Sequence, residues 1–99
     1  MKTRVELDPQ VVDFVRSLAP EPRRRLRSGL RELEEEKGDL EQLEADLAGY
    51  ARLRVGGYRV IVRFYAASGE RIARCIFAER RPVVYELFSE ILQGRRSVR

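Results

Sequence analysis

A chain of 99 residues with one cysteine and no histidine has room for one small domain, which we place over residues 1–99. It cannot form an internal disulfide, and it lacks the ligands for a zinc site of the cysteine and histidine kind. No apolar run is long enough to cross a membrane, and the N-terminus, MKTRVELDP, has no apolar signal-peptide core, so we expect a cytoplasmic protein.

The net charge of +4 is unevenly distributed along the chain. Residues 1–49 carry 9 Lys and Arg against 12 Asp and Glu, a net charge of −3. Residues 50–99 carry 11 Arg against 4 Glu, a net charge of +7. Positive charge segregated in this way indicates an acidic or polyanionic partner for the C-terminal half.

The N-terminal half predicts a short strand followed by two helices. Residues 3–7 alternate in the manner of a strand. Asp8 followed by Pro9 is typical of a helix start, and Pro20 ends that helix. A second helix is predicted over residues 21–37, and the short link between the two indicates an antiparallel helical hairpin.

The second helix has an unusual charge order. It carries RRRLR at 23–27 near its start and ELEEEK at 32–37 near its end. This is the reverse of the order that the helix dipole favours, which points to contacts made outside the helix.

The C-terminal half predicts a sheet and a last helix. Residues 38–49 are interpreted as a connecting segment with at most two turns of helix. Three strands follow at 50–55, 58–66 and 71–78, and Pro82 is expected in the first turn of the last helix. The predicted fold is therefore α+β: a short N-terminal strand, an antiparallel helical hairpin, a three-stranded antiparallel meander and a C-terminal helix.

A two-residue turn at Gly56 and Gly57 fixes which side chains share a face of the sheet. It places Arg54 opposite Arg59 and Arg52 opposite Ile61. The face under the helical hairpin is expected to be the core: Leu53, Val55, Tyr58, Val60, Val62 and Phe64, with Ala73, Cys75 and Phe77 from the third strand. The other face carries the arginines: Arg52, Arg54, Arg59, Arg63 and Arg74, with Tyr50, Ile61 and Tyr65.

Like charges that face each other across a strand pair repel by a few tenths of a kcal/mol or more. A bound row of phosphates would relieve this repulsion, because guanidinium groups grip phosphates in a bidentate manner. A solvated face with counter-ions, or an acidic neighbour, would relieve it as well, and the residues alone leave these alternatives open.

The order and spacing of these elements from Arg4 to Leu92 resemble the RelE/ParE toxins of type II toxin-antitoxin systems, also known as plasmid stabilisation proteins. The most specific matches are LRVGGYRVIVRF at 53–64 and the stretch RRPVVY at 80–85. The resemblance implies that the open face of the sheet is the active surface. In the RelE branch this surface enters the ribosomal A site and cuts mRNA, and a cognate antitoxin wraps and silences the toxin.

The resemblance also assigns roles to residues. The catalytic assignments are Arg52, Arg54, Arg59, Arg81 and Tyr85, with Arg80 as a weaker match to the position of Arg81. Further RNA contacts are expected at Arg63, Arg74 and Arg80. Cleavage would proceed by attack of a ribose 2′-hydroxyl on the adjacent phosphate, which needs charge stabilisation, a base and an acid but no metal or cofactor.

The proton carriers are where the sequence departs from the family pattern. Glu79 stands where the common motif has histidine, and arginine stays protonated, so it is a poor base or acid. Tyr85 and a carboxylate remain: Glu41, which spacing matches to a glutamate of a sister branch, or Glu79. The alternatives are a solvated loop charge for Glu41, an ion pair with a neighbouring arginine for Glu79, and a ring packed at the core edge for Tyr85.

Three functions follow from the resemblance. The favoured one is a ribosome-dependent mRNA endonuclease, because four arginines lie at matching positions. The second is a non-enzymatic inhibitor of DNA gyrase, the activity of the ParE branch, which typically lacks this basic set. The third is an inactive homologue that only binds antitoxin or RNA. In each case we expect the antitoxin to lay an acidic and apolar segment over the basic face or against the helices.

Overall fold

The computed structural model describes residues 2–80 and 83–94 of the chain. Its strands form one sheet of order β1-β5-β4-β3-β2, in which β1 runs parallel to β5 and the other pairs are antiparallel. The strands are β1 Arg4–Leu7, β2 Asp39–Gln42, β3 Ala51–Val55, β4 Tyr58–Ala67 and β5 Glu70–Arg80. The helices are α1 Pro9–Ser17, α2 Pro20–Glu32 and α3 Val83–Leu92.

The α+β class is confirmed, but the sheet has five strands rather than a three-stranded meander. The N-terminal strand joins the sheet beside β5, and β2 forms inside the segment 38–49 that was predicted as a connection. A 3-10 turn at Ala45–Leu47 follows β2 in the same segment. The strand forms because its carboxylates lie opposite arginines of β3, and opposite charges across a strand pair stabilise it.

Helix α1 begins at Pro9, as the sequence predicts. It ends at Ser17, before Pro20, and Pro20 is itself the first residue of α2, one residue before the predicted start. The α-helical part of the second helix ends at Glu32, and a 3-10 turn over Leu33–Glu35 replaces the predicted last turn. The predicted start of the last helix at Pro82 lies outside the described residues. Across 2–80 and 83–94, none of the helices is both long and apolar enough to span a membrane.

The helical hairpin packs on one face of the sheet and buries the main core there. Leu53, Val60 and Val62 of the sheet contact Val11 and Leu26 of the helices in one buried cluster. Cys75 belongs to the same cluster, and its burial raises the pKa of the thiol to about 12. The predicted core face of the β3 and β4 strands is therefore confirmed, and Cys75 is an unreactive core residue.

The prediction that Phe77 belongs to this core is wrong. Val62 pairs with Cys75, but Ile61 pairs with Phe77, so Ile76 is an extra residue that forms a β-bulge. The bulge reverses which side chains of β5 point to which face. Phe77 therefore lies on the opposite face of the sheet, in a second cluster with Ile61.

Helix α3 covers part of this second face. Phe88 is 1% exposed and packs against Ile61 and Phe77, with ring centroids 6.1 Å from Phe77 and 5.1 Å from Tyr50. The face that carries the arginines is therefore not open along its whole length. One part is a small aromatic core under α3, and the arginines occupy the part that remains.

Gly29 marks the closest approach of α2 to the sheet. A Cβ atom at this position would lie 2.5 Å from Cγ2 of Val55, well inside contact distance. The branched Val55 side chain has few alternative rotamers. Alanine at position 29 would improve helix propensity by about 1 kcal/mol but would overpack this contact by about 1–3 kcal/mol.

We therefore expect Gly29→Ala to lower the free energy of unfolding, measured by urea denaturation, by about 1 kcal/mol. In a Val55→Ala background the same substitution should become stabilising, because the clash is gone and only the propensity gain remains. Stabilisation by Gly29→Ala in the wild-type background would contradict this account of the contact.

Candidate functional site

An open cleft of about 450 Å³ lies between β2, the β3–β4 hairpin and α3. It brings together four of the five residues to which the resemblance assigns catalytic roles, and one of the two candidate bases. The described residues that line it are Glu41, Leu43, Glu44, Leu47, Arg52, Arg54, Arg59 and Tyr85. The convergence of these side chains makes this cleft the candidate site.

The hairpin register places the arginines in the cleft. Arg54 pairs with Arg59 and Arg52 pairs with Ile61, as a two-residue turn predicts. Alternation along β3 then sends Arg52 and Arg54 to the same face, away from the helical hairpin. The turn itself depends on Gly56, whose φ of 58° is a conformation that costs glycine little.

Two carboxylates of β2 hold the β3 arginines. Nη2 of Arg52 donates hydrogen bonds to Glu41 at 2.8 Å and to Asp39 at 3.3 Å. Nε of Arg54 donates to the other oxygen of Asp39 at 2.5 Å. Part of the repulsion between the cross-strand arginines is therefore offset by an acidic neighbour, one of the alternatives that the sequence left open.

Glu41 is not a solvated loop charge. It lies on β2 directly opposite Arg52, and its side chain is 70% exposed at the cleft, so it is both ion-paired and accessible. The side chain of Arg52, by contrast, is only 11% exposed. A ligand phosphate would therefore reach Arg52 by replacing a carboxylate oxygen that already binds it.

Arg59 is held by the hairpin turn. It is 5% exposed, and its Nη1 donates hydrogen bonds of 2.9 Å to the carbonyl oxygens of Gly56 and Tyr58. These bonds fix the guanidinium at the cleft wall. A guanidinium carries five N–H donors in a rigid plane, so such anchoring orients the group for ligands in that plane.

Tyr85 lies on α3, and its position is consistent with both interpretations of the sequence, a residue of the candidate site and a ring packed at the core edge. Its side chain packs at the edge of the aromatic cluster around Phe88 and also lines the cleft. Packing of this kind limits the rotamers of the ring and positions it beside the arginines.

Glu79 and Arg80 are not brought into the cleft in the way that the resemblance implies. Glu79 pairs with Arg59 in the sheet and accepts a 3.0 Å hydrogen bond from the backbone N–H of Arg80, but it is not among the described cleft residues. The guanidinium of Arg80 lies 5.7 Å from the ring centroid of Tyr58, which packs on the helical-hairpin side. Arg81 lies outside the described residues.

Arg63 and Arg74 line a separate depression on the same face. They pair across β4 and β5, and with Tyr65 they surround a volume of about 360 Å³. Arg74 donates hydrogen bonds of 2.8 and 3.3 Å to Asp8, and this carboxylate raises the pKa of Arg74. The two predicted RNA contacts are therefore near each other but belong to a second hollow.

Asp39 is the site residue that the sequence reasoning missed. It binds both β3 arginines, and its position opposite Arg54 repeats the pairing of Glu41 with Arg52. The sequence contains a signal for this pairing. When residues 39–41, DLE, are aligned antiparallel to residues 52–54, RLR, each carboxylate lies opposite an arginine.

No protein-family model matches the chain, and no curated protein matches it significantly. Solved structures do. A chain of the RelBE2 toxin-antitoxin complex from Mycobacterium tuberculosis superposes with a TM-score of 0.68 at 18% identity, covering 82% of this chain and 100% of that one. The archaeal RelE-RelB complex from Pyrococcus horikoshii OT3 gives 0.62 at 29% identity, covering 83% and 98%.

The E. coli toxin RelE, solved as a mutant in the free state, gives a TM-score of 0.63 at 20% identity and covers 95% of this chain and 98% of its own. The structural resemblance to RelE-type toxins therefore extends over most of the chain. The five-stranded sheet, the helices and their order belong to this fold.

Proposed function

We propose that this chain is the toxin of a toxin-antitoxin pair, and that it cleaves mRNA on the ribosome without a metal or cofactor. The observation that carries the proposal is the single cleft lined by Arg52, Arg54, Arg59, Glu41 and Tyr85. Three cations beside a carboxylate and a phenol supply what phosphodiester cleavage by an internal hydroxyl requires: charge stabilisation, a base and an acid.

In the proposed mechanism, the scissile phosphate replaces the β2 carboxylates on Arg52 and Arg54. Glu41, released from Arg52, takes the proton of the ribose 2′-hydroxyl, and the 2′-oxygen forms a bond to phosphorus. The bond from phosphorus to the 5′-oxygen breaks, and Tyr85 donates a proton to that leaving oxygen. The guanidinium groups stabilise the charge that develops on the phosphate oxygens in the transition state.

A binding-only homologue is the second candidate, and the ion pairs favour it. Asp39 and Glu41 neutralise Arg52 and Arg54 in the protein alone, so a ligand must displace them at the cost of three hydrogen-bonded ion pairs. In such a protein the cleft would hold RNA or an antitoxin and leave the phosphodiester intact.

Controlled expression in a bacterial host, followed by 5′-end mapping of one transcript, tests the proposal. We expect growth arrest and new 5′ ends within the coding region. The same transcript with an inactivated start codon is the matched control and should stay intact, because the proposed substrate is translated mRNA. Arrest with intact messages would contradict the proposal, and supercoiling assays with purified gyrase would then test the ParE-type activity.

The proposed partner is a cognate antitoxin with an acidic and apolar segment. Structures of similar fold from M. tuberculosis and P. horikoshii were solved as toxin-antitoxin and RelE-RelB complexes. The basic cleft of this chain offers charge complementarity to an acidic segment, which would compete with RNA for the same arginines.

A further inference from the structure

The arginines of α2 are not explained by the cleft, and the acidic stretch at 32–37 that was predicted as the end of this helix lies almost entirely beyond it, since α2 ends at Glu32. The helix packs on the sheet through Leu26, Gly29 and Leu30, on the face opposite the cleft arginines. Its outer side carries a depression of about 380 Å³. The described residues that line it are Pro20, Arg23, Arg24, Arg27, Ser28 and Arg31. We name this surface the α2 arginine surface.

The α2 arginine surface has little internal neutralisation. Among its described members, Arg24 pairs with Glu21 at 2.9 Å, while no carboxylate lies within ion-pair distance of Arg27 or Arg31. Arg23 is turned inward, where its Nη2 donates to the Leu18 carbonyl at 2.8 Å and its buried Nε has no hydrogen-bond partner. Arg23 and Arg24 lie near the start of α2, where the helix dipole opposes cations, and Arg27 and Arg31 extend the positive charge to the last turn. Cations concentrated in this way indicate a site for an anion.

The spacing favours a linear polyanion over a single phosphate group. Arg24, Arg27 and Arg31 follow at intervals of three and four residues, which places successive exposed side chains about 5–6 Å apart along one side of the helix. One phosphate can engage one or two of these groups at a time. A chain of phosphates can engage all of them, as guanidinium groups bind each phosphate separately.

The lining also favours a nucleic-acid backbone over an acidic protein segment. Pro20 is the sole apolar residue among the described lining residues, so an amphipathic peptide would find almost nothing to bury its apolar side. The same residues include no aromatic ring on which an unpaired base could stack. Contact would therefore be made with phosphates and would not depend on base sequence.

We infer that the α2 arginine surface is a second nucleic-acid contact, which binds the phosphate backbone of RNA on the side of the sheet opposite the cleft. The inference does not require the cleft to cleave RNA. A chain that cuts nothing could bind RNA here, and a chain that cuts mRNA could lack this contact, so binding and cleavage measurements separate the two proposals.

The test is binding of a labelled 20-base-pair RNA duplex to the full chain, since a duplex offers backbone without unpaired bases. The double variant Arg27→Ala/Arg31→Ala should raise Kd about tenfold. The slope of log Kd against log salt concentration should also decrease by the amount expected for the loss of about two phosphate contacts. Both side chains are exposed and without ion pairs, so the fold should persist. Arg4→Ala/Arg71→Ala, which removes two exposed charges of β1 and β5 outside the α2 arginine surface, is the matched control and should bind as the wild type does.

Binding by the arginine variant within twofold of the wild type would overturn the inference, as would an equal loss in the matched control, which would indicate a general effect of net charge. Competition identifies the ligand. If inorganic phosphate competes as well as unlabelled duplex at equal phosphate concentration, the claim that the surface binds a linear backbone would be overturned. If polyglutamate competes better than RNA, the surface would be assigned to an acidic protein instead.

Discussion

Replacing Arg54 with alanine should slow mRNA cleavage about 100-fold or more, the effect typical of removing one preorganised charge from a transition state. Arg54 is the cleft arginine best suited to this test, because its side chain is 52% exposed and its loss leaves Asp39 still bound to Arg52. The rate would be measured on translated mRNA with purified ribosomes, and the fold by circular dichroism.

Arg4→Ala is the matched control for this experiment. Arg4 is 54% exposed, lies on the opposite edge of the sheet and pairs with two carboxylates, Glu6 and Glu70. It therefore resembles Arg54 in charge, exposure and pairing but not in position. Equal cleavage rates for the Arg54 variant and the control variant would contradict the proposal that the cleft is the site of cleavage.

Replacing Phe88 with alanine should lower the free energy of unfolding by about 3–5 kcal/mol, the range for a buried phenylalanine whose removal leaves a cavity. Phe88 anchors α3 because it is the helix residue that is buried against Ile61 and Phe77. Urea denaturation followed by circular dichroism gives the value. Since Tyr85 lies one turn earlier on the same helix, cleavage should fall as well.

Leu92→Ala is the control for the helix itself. Leu92 is 46% exposed on the same helix, so its truncation should cost less than about 1 kcal/mol. If the Phe88→Ala chain does not fold, Phe88→Leu keeps most of the apolar volume and should lose about 1–2 kcal/mol. A Phe88→Ala chain as stable as Leu92→Ala would show that α3 is not held by this contact.

The register of the β3–β4 hairpin could be predicted to the residue because its signals are local. Gly56 and Gly57 fix the turn, the turn fixes the register, and the register fixes the faces of Arg52, Arg54 and Arg59. The start of α1 was likewise predictable, and that of α2 to within one residue, because proline in the first helical turn is a local preference.

The features that escaped prediction depend on contacts between distant segments. Leu40, Leu43 and Leu47 have near-helical spacing, so the strand β2 becomes visible only when its carboxylates are aligned with arginines of another strand. The bulge at Ile76 has no signal in the alternation of apolar and polar residues along β5. The bulge is nevertheless what moves Phe77 to the other face of the sheet. The same bulge creates the second core that places α3, and with it Tyr85, beside the cleft.

The ion pairs of β2 give the cleft a defined resting state. Asp39 and Glu41 keep the β3 arginines oriented while the cleft is empty of RNA, and they offset repulsion that would otherwise disfavour the hairpin. In the proposed mechanism, a phosphate would bind by exchange with these carboxylates. The exchange would couple RNA binding to the release of Glu41, the residue that we propose as the base.

The chemistry of the new RNA ends tests the central claim most directly. RNA cut on purified ribosomes by the wild-type chain should end in a 2′,3′-cyclic phosphate upstream and a 5′-hydroxyl downstream, because the 2′-oxygen is the nucleophile. Tyr85→Phe, which removes only the hydroxyl, should leave the message whole. Ends with a 5′-phosphate, or cleavage by the phenylalanine variant at the wild-type rate, would contradict the proposed reaction.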